Sequence, residues 1–171
     1  MAESEGVGMK IGDVMAAMTA YNAGDARRVN HLIKVYGFAK TIGERENLDA
    51  DTQEILEIAA LTHDIGIRNS ERKYGNCTGA HQQEEGPPEA RALLSQLGAS
   101  ERVIERVCWL IAHHHTYTDI QGMDYQILVE ADFLVNAFED EMDDDAIRTV
   151  REKLFRTKTG LELLDLLYFT K

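Results

Sequence analysis

The stretch "AALTHDIGI", Ala59–Ile67, joins a run of small and apolar residues to His63 and Asp64 and then to Gly66. Just before it, Ile55, Leu56 and Ile58 combine with Ala59, Ala60 and Leu61 to cover nearly the whole circumference of a helix. Apolar residues on every side mark a helix buried on every side. A central helix that ends in an imidazole and a carboxylate, with a glycine placed to stop it, needs neighbours to cover it and partners for two polar groups carried inward.

Outward from this segment the signals remain helical, and alternating β-branched runs bounded by turn residues are missing, so the expected fold is all-α. A first helix is expected through "DVMAAMTAY", ending in "NAGD", where Asp25 can cap a second helix holding "ARRVNHLIKVYGFAKTIGERE". Asp51 with Glu54 resembles a capping box for the central helix. Residues Arg68 to Gly86, "RNSERKYGNCTGAHQQEEG", show little apolar content and no sustained period, and read as a long loop, of a length that is usually functional or mobile. Pro87 and Pro88 suit the opening turn of the next helix, Ser100 caps "ERVIERVCWLIAHHH", and Asp124 caps "YQILVEADFLVNAFED". The acidic run "EDEMDDD" reads as a solvated turn before "AIRTVREKLFR" and an apolar tail, "LELLDLLYF"; it lacks the spacing and glycine of a calcium loop.

The chain of 171 residues, 44% hydrophobic, suits a single domain over 1–171, with the functional core in 27–140 and C-terminal helices in 144–170 packed on it. Thirty acidic residues against 18 basic ones give a net charge of -12, which disfavours binding of DNA or RNA over a broad surface. The first residues, "MAESEGVGMK", are unlike a signal peptide, and no apolar run approaches the roughly 18 residues of a membrane-spanning helix. Cys77 and Cys108 lack CxxC spacing, so a thiolate zinc site is not indicated and a reducing cytoplasm fits.

Periodicity also shows which polar residues turn inward. His31 lies four residues before Val35 and seven before Phe38, on or beside the apolar face of its helix. Val103, Val107 and Leu110 lead to His114, and Ile104, Cys108 and Ile111 lead to His115, whereas His113 continues the polar row of Arg102, Arg106 and Trp109. Asp132 interrupts the apolar face of Leu128, Ala131 and Val135, where an unpaired carboxylate is costly. Singly, each residue has an ordinary explanation: a hydrogen-bonded core histidine, a helix C-terminal cap, a partner for an arginine. Together, imidazoles and carboxylates from four helices need one another or a shared ion, and nitrogen and oxygen ligation without thiolates suits an open, hydrolytic site.

In order and spacing, His31, His63 with Asp64, and Asp132 resemble the H...HD...D pattern of the HD superfamily of metal-dependent phosphohydrolases, in its HDIG form. The resemblance covers roughly residues 27–140 and implies a helical bundle of about six to eight helices around a central metal site. It also implies that these four residues hold a first divalent transition metal, iron, manganese, nickel or zinc, with magnesium also compatible. Asp64 would then bridge to a second ion where one is present. For that second site the chain offers His114 with His115 and, from the segment after the HD pair, His81 or Glu85. Position favours Glu85, because "EEGPPEARALL" looks like the segment where HD-type dinucleoside tetraphosphate hydrolases carry a histidine before a Gly-Pro helix start. The glutamate that HD-type deoxynucleotide 5'-phosphatases carry three residues after the aspartate is replaced by Ile67, and the GYP signature of cyclic dinucleotide phosphodiesterases is missing.

The expected activity is hydrolysis of a phosphate ester or anhydride of a nucleotide-like substrate by a metal-activated hydroxide, with Asp64 and His63 as the catalytic pair. Arg28, Arg68, Arg72 and Lys73, with Arg27, are the candidate holders of substrate phosphate, since no P-loop occurs. A small phosphorylated molecule is the expected partner, and a homodimer is compatible with the sequence. Two other readings are a di-iron oxygenase built on the same ligands and a non-catalytic nucleotide sensor.

Overall fold

The computed structural model describes residues 9–170, so the first eight residues of the acidic start lie outside it. The described residues form α1 (Ile11–Tyr21), α2 (Ala26–Arg45), α3 (Ala50–Thr62), α4 (Ile67–Tyr74), α5 (Gly79–Gln96), α6 (Glu101–His113), α7 (Met123–Glu139), α8 (Asp144–Leu154) and α9 (Lys158–Tyr168), with no strand among them. The protein is all-α.

Helix α3 occupies the centre. Every residue from Ile55 to Thr62 is buried, and α1, α2, α6 and α7 pack against it. Its large aliphatic side chains, at about 1.5–3 kcal/mol each when fully buried, make it the anchor of the core. Asp49 starts the helix by accepting from Thr52 N at 3.0 Å, in place of the expected Asp51–Glu54 box. Asp25 caps α2 by accepting from Arg28 N at 3.0 Å, and Ser100 caps α6. Asp124 does not cap α7; it holds Arg106 through two bonds of 2.7 and 2.8 Å and so ties α6 to α7.

The stretch expected as a loop, residues 68–86, is mostly helical. Helix α4 occupies its first half and ends at Gly75, whose φ of 70° is the left-handed conformation that closes a helix. Its buried residues are Asn69 and Ser70, which are polar, so no apolar period announces it. Ser70 bonds back to Gly66 O at 2.9 Å, and Asn69 donates to Glu89 on α5 at 2.6 Å. Helix α5 begins at Gly79 behind the cap Thr78 and runs through Pro87 and Pro88 rather than starting at them. The helical segment before the prolines is held by packing. A Cβ on Gly86 would lie 2.5 Å from Ile111, and one on Gly79 would lie 3.0 Å from His115.

Gly66 is likewise not a left-handed helix stop. Its φ of -71° is ordinary, and a side chain there would meet the backbone of Gln82 and Gly86 at 2.6–2.9 Å, so glycine is needed for the close crossing of α5 over the turn after α3. At the far end, the buried Glu130 accepts from Arg156 N at 2.7 Å, Thr157 N at 3.0 Å, Gln126 Nε2 at 2.7 Å and the Thr157 hydroxyl. That carboxylate fastens the α8–α9 junction to α7.

Candidate metal centre

Four elements deliver the polar cluster: His31 from the first half of α2, His63 and Asp64 from the turn that follows α3, Asp132 from the middle of α7, and His114 and His115 from the turn that follows α6. His31 Nε2 lies 3.3 Å from Asp132 Oδ1, 3.4 Å from Asp64 Oδ2 and 3.4 Å from His63 Nε2. His63 Nε2 lies 3.5 Å from both carboxylates. The other oxygen of Asp64, Oδ1, turns away from this group and lies 3.6 Å from His114 Nε2.

Three rings are held from behind. His63 Nδ1 bonds to Ala60 O at 2.9 Å and His114 Nδ1 to Ile111 O at 2.8 Å. A carbonyl can only accept, so each Nδ1 carries its proton and each Nε2 is directed into the cluster. His31 Nδ1 is held at 2.9 Å by Glu139 Oε2, and the other oxygen of Glu139 takes Lys34. Asn136 donates to Asp132 Oδ1 at 2.9 Å.

Charge within the cluster is strongly coupled. Burial opposes protonation of His63, yet Asp64 and Asp132 outweigh it and raise its imidazole to about 9. Burial likewise opposes ionisation of Asp64, but His63 and His114 hold its carboxyl down at about 2. Asp132 follows the same pattern, with His31 and His63 overcoming burial to hold it well below the usual carboxylate range. His115 moves the other way: burial, reinforced by His114, lowers it to about 4, which leaves a neutral ring at pH 7.

These residues fit a divalent cation. Bonds of about 2.1 Å place neighbouring ligand atoms about 3.4 Å apart at tetrahedral angles, and His31 Nε2 and His63 Nε2 lie 3.3 to 3.5 Å from each other and from Asp64 Oδ2 and Asp132 Oδ1, the spacing of neighbouring ligands on one ion. His114 Nε2 is buried without a hydrogen-bond partner, a cost that a bound cation would remove. His114, His115 and Asp64 also converge, with their ligand atoms within 4.8 Å of one another. Four imidazoles and two carboxylates suit iron, manganese, nickel or zinc by donor type.

The HD domain profile matches residues 28–153 of the chain. The chain belongs to the HD-domain family. A crystal structure described as a predicted HD superfamily hydrolase, from an uncultured Thermotogales bacterium, superposes with a TM-score of 0.63 at 23% identity, covering 90% of this chain and 82% of that one. At that identity the likeness is one of fold. No curated protein matches the chain at a significant level. Family membership carries the general chemistry of the superfamily, metal-dependent phosphohydrolysis.

Within this HD domain, several residues nominated from sequence lie away from the cluster. Glu85 is taken by Lys73 Nζ at 2.7 and 2.9 Å and by Tyr74 Oη at 3.1 Å, and His81 stacks on Tyr74 and bonds to Asn76. The α5 residue at the site is instead Gln82, whose Oε1 lies 3.0 Å from His115 Nε2. Arg68 donates to Tyr21 O, and Arg72 donates to Asn69 at 3.0 Å; both line a separate hollow between α1 and α5. Their displacement follows from α4, which carries the basic residues around a helix instead of along a loop. Arg27 and Arg28 do line the cleft of about 460 Å³ that opens onto the cluster. A larger groove of about 900 Å³ beside α1 is mostly apolar and lies outside the ligand set.

His113 stacks on Trp109 with ring centroids 4.1 Å apart and bonds to Trp109 O, apart from the cluster. Glu139 is absent from the residues expected at the site, although it shares a stripe with Asp132 through Asn136 at steps of four and three. The acidic run that begins with it reads as solvent-facing, and its first residue is in fact the partner of His31.

Proposed function

We propose that this HD domain hydrolyses a phosphate ester or anhydride of a small, nucleotide-like molecule. The observation that carries the reading is the division of Asp64: one oxygen faces His31 and His63, and the other faces His114, so a single carboxylate could serve two neighbouring ion sites. A divalent cation bound there supplies Lewis acidity to a water molecule and to phosphoryl oxygens. The chain's own residues set the geometry: His31, His63 and Asp132 hold the first site, and His114 and His115 flank the second. Arg27 and Arg28 stand at the cleft where substrate phosphate would enter.

The expected setting is the cytoplasm, where the free Cys77 and Cys108 suit reducing conditions. Among the described residues no helix is long and apolar enough to cross a membrane. The expected partner remains a small phosphorylated substrate rather than nucleic acid or a membrane surface, and self-association as a homodimer is compatible with this reading.

The test is elemental analysis of untagged protein followed by phosphate release across mononucleotides, dinucleoside polyphosphates, cyclic dinucleotides and sugar phosphates. His63→Ala and Asp132→Ala are expected to lose both metal and turnover; full retention of both would overturn the reading. Oxygen uptake by anaerobically iron-loaded protein, without phosphate release, would assign the same ligands to di-iron oxidation. Tight nucleotide binding without turnover would assign the fold to sensing.

A further inference from the structure

The cleft is poor in available positive charge. Five carboxylates line it, Asp25, Asp64, Asp132, Glu139 and Asp140, against two guanidiniums, Arg27 and Arg28. Arg28 is already engaged by Asp25 at 3.5 Å and Glu71 at 3.1 Å. Helix α4 directs Arg68 and Arg72 to the opposite side, and Lys73 is closed on Glu85. One or two divalent ions can balance Asp64 and Asp132 and hold one phosphoryl group, with Arg27 at the rim. Beyond that point Asp25 is paired with Arg28 and Glu139 with Lys34, so a second or third phosphate would meet Asp140 with no further unpaired cation among the described lining residues.

Those remaining groups are mostly acceptors. Asn136 gives one N–H of its Nδ2 to Asp132 and keeps its oxygen as an acceptor, and Asp25 and Asp140 face the same cleft. Among the described lining residues there is no Phe, Tyr or Trp, and the rings present, the imidazoles of His31 and His115, belong to the ion cluster. A lining this rich in acceptors suits an alcohol that carries hydroxyl or ammonium donors.

Resting on the hydrolase reading, we infer that the substrate is a phosphate monoester with a single phosphate group, on a hydroxyl- or ammonium-bearing alcohol, and not a polyphosphate. The reaction balances without a further reactant. Water oxygen forms a new bond to phosphorus, the bond from phosphorus to the alcohol oxygen breaks, and one water proton ends on that oxygen. The products are the free alcohol and inorganic phosphate, and nothing is oxidised or reduced.

The experiment uses the full chain saturated with manganese. It compares kcat/KM for a hexose monophosphate, an amino-alcohol monophosphate and a nucleoside monophosphate with that for a nucleoside triphosphate and a dinucleoside tetraphosphate. Each added like charge at roughly 8 Å and an effective dielectric near 20 gives about tenfold to fiftyfold discrimination, so monophosphates are expected to lead by at least about tenfold. Calorimetric binding of the same ligands gives a second readout, in which Asp140→Asn is expected to narrow the gap between triphosphate and monophosphate. Preference for polyphosphates, or a gap that Asp140→Asn leaves unchanged, overturns this inference and leaves the hydrolase reading standing. Failure of metal-loaded protein to release phosphate from any of them overturns the hydrolase reading, and the inference falls with it.

Discussion

Metal binding to this HD domain should expel protons, and the effect can be worked from His63. Its imidazole is raised to about 9 in the metal-free cluster, with burial opposing the shift and Asp64 and Asp132 driving it. At pH 7, two units below that value, about 99 of every 100 molecules carry the proton. A cation needs the Nε2 lone pair, so that proton must leave. Apparent affinity is therefore expected to rise about tenfold per pH unit from 7 to 9, about 100-fold or roughly 3 kcal/mol in all. His31, also raised, adds to the slope, whereas Asp64 at about 2 and His115 at about 4 have no proton to give in this range.

Calorimetric titration with zinc at pH 7, in buffers of different ionisation enthalpy, counts the protons released; at least about one is expected per first-site ion. The same shift read as stability has the opposite sign. His63 is raised above its ordinary 6.5, so its protonation stabilises the metal-free fold fully below pH 6.5, and that contribution is lost as pH rises through about 9. Asp64 is depressed from 3.8, so its contribution is present above pH 3.8 and lost as pH falls toward about 2. Between pH 7 and 9 the metal-free protein should lose stability while metal affinity grows. A proton count near zero at pH 7, or affinity flat from 7 to 9, would refute the charge arrangement derived for the cluster.

Three further outcomes follow from individual contacts. Glu139→Ala removes the acceptor that orients His31 and should weaken first-site metal affinity about 10- to 100-fold, with Glu139→Gln, which keeps an acceptor oxygen, recovering most of it in a chelator competition. His114→Ala should lower bound metal in elemental analysis, whereas His113→Ala, which removes only a ring stacked on Trp109, should leave it unchanged. Glu130→Ala strands four donors on α7 and the α8–α9 junction and should lower unfolding free energy by about 3 kcal/mol or more in urea titrations, given about 1–3 kcal/mol per buried unpaired group; a loss below about 1 kcal/mol would show that the junction is rehydrated.

Much of this architecture was legible because apolar periodicity reports which side of a helix is buried. Helix α3 declared itself by being apolar all round, and His31, His114, His115 and Asp132 stood out because each falls on or beside an apolar stripe. The same criterion fails where the inward residues are themselves polar. Helix α4 buries Asn69 and Ser70, so its segment reads as a loop, and the helix turns Arg68 and Arg72 toward the hollow beside α1 instead of the cleft. Glu139 escaped for a related reason: it ends α7 inside a run of acids, and charge density masked a stripe that runs straight from Asp132. The prolines misled through a sound rule, that a missing N–H is cheapest in a first turn. Here two glycines, Gly66 and Gly86, let α5 press against the turn after α3 and against Ile111, and that packing holds the helical turns before Pro87.

The two helices that end at the site share a device that explains why a ligand histidine belongs at each terminus. His63 follows α3 and His114 follows α6, both in right-handed helical conformation, and each Nδ1 bonds the carbonyl three residues earlier, Ala60 or Ile111. The last carbonyls of a helix have no N–H partner within it. Each histidine therefore satisfies one of them with the face of its ring that a metal does not use, and the bond that completes the helix also aims Nε2 at Asp64. Helix termination and ligand orientation are one interaction at both sites. That leaves His31, in mid-helix with no vacant carbonyl to lean on, as the ligand that must borrow its support from another helix, and Glu139 at the end of α7 supplies it.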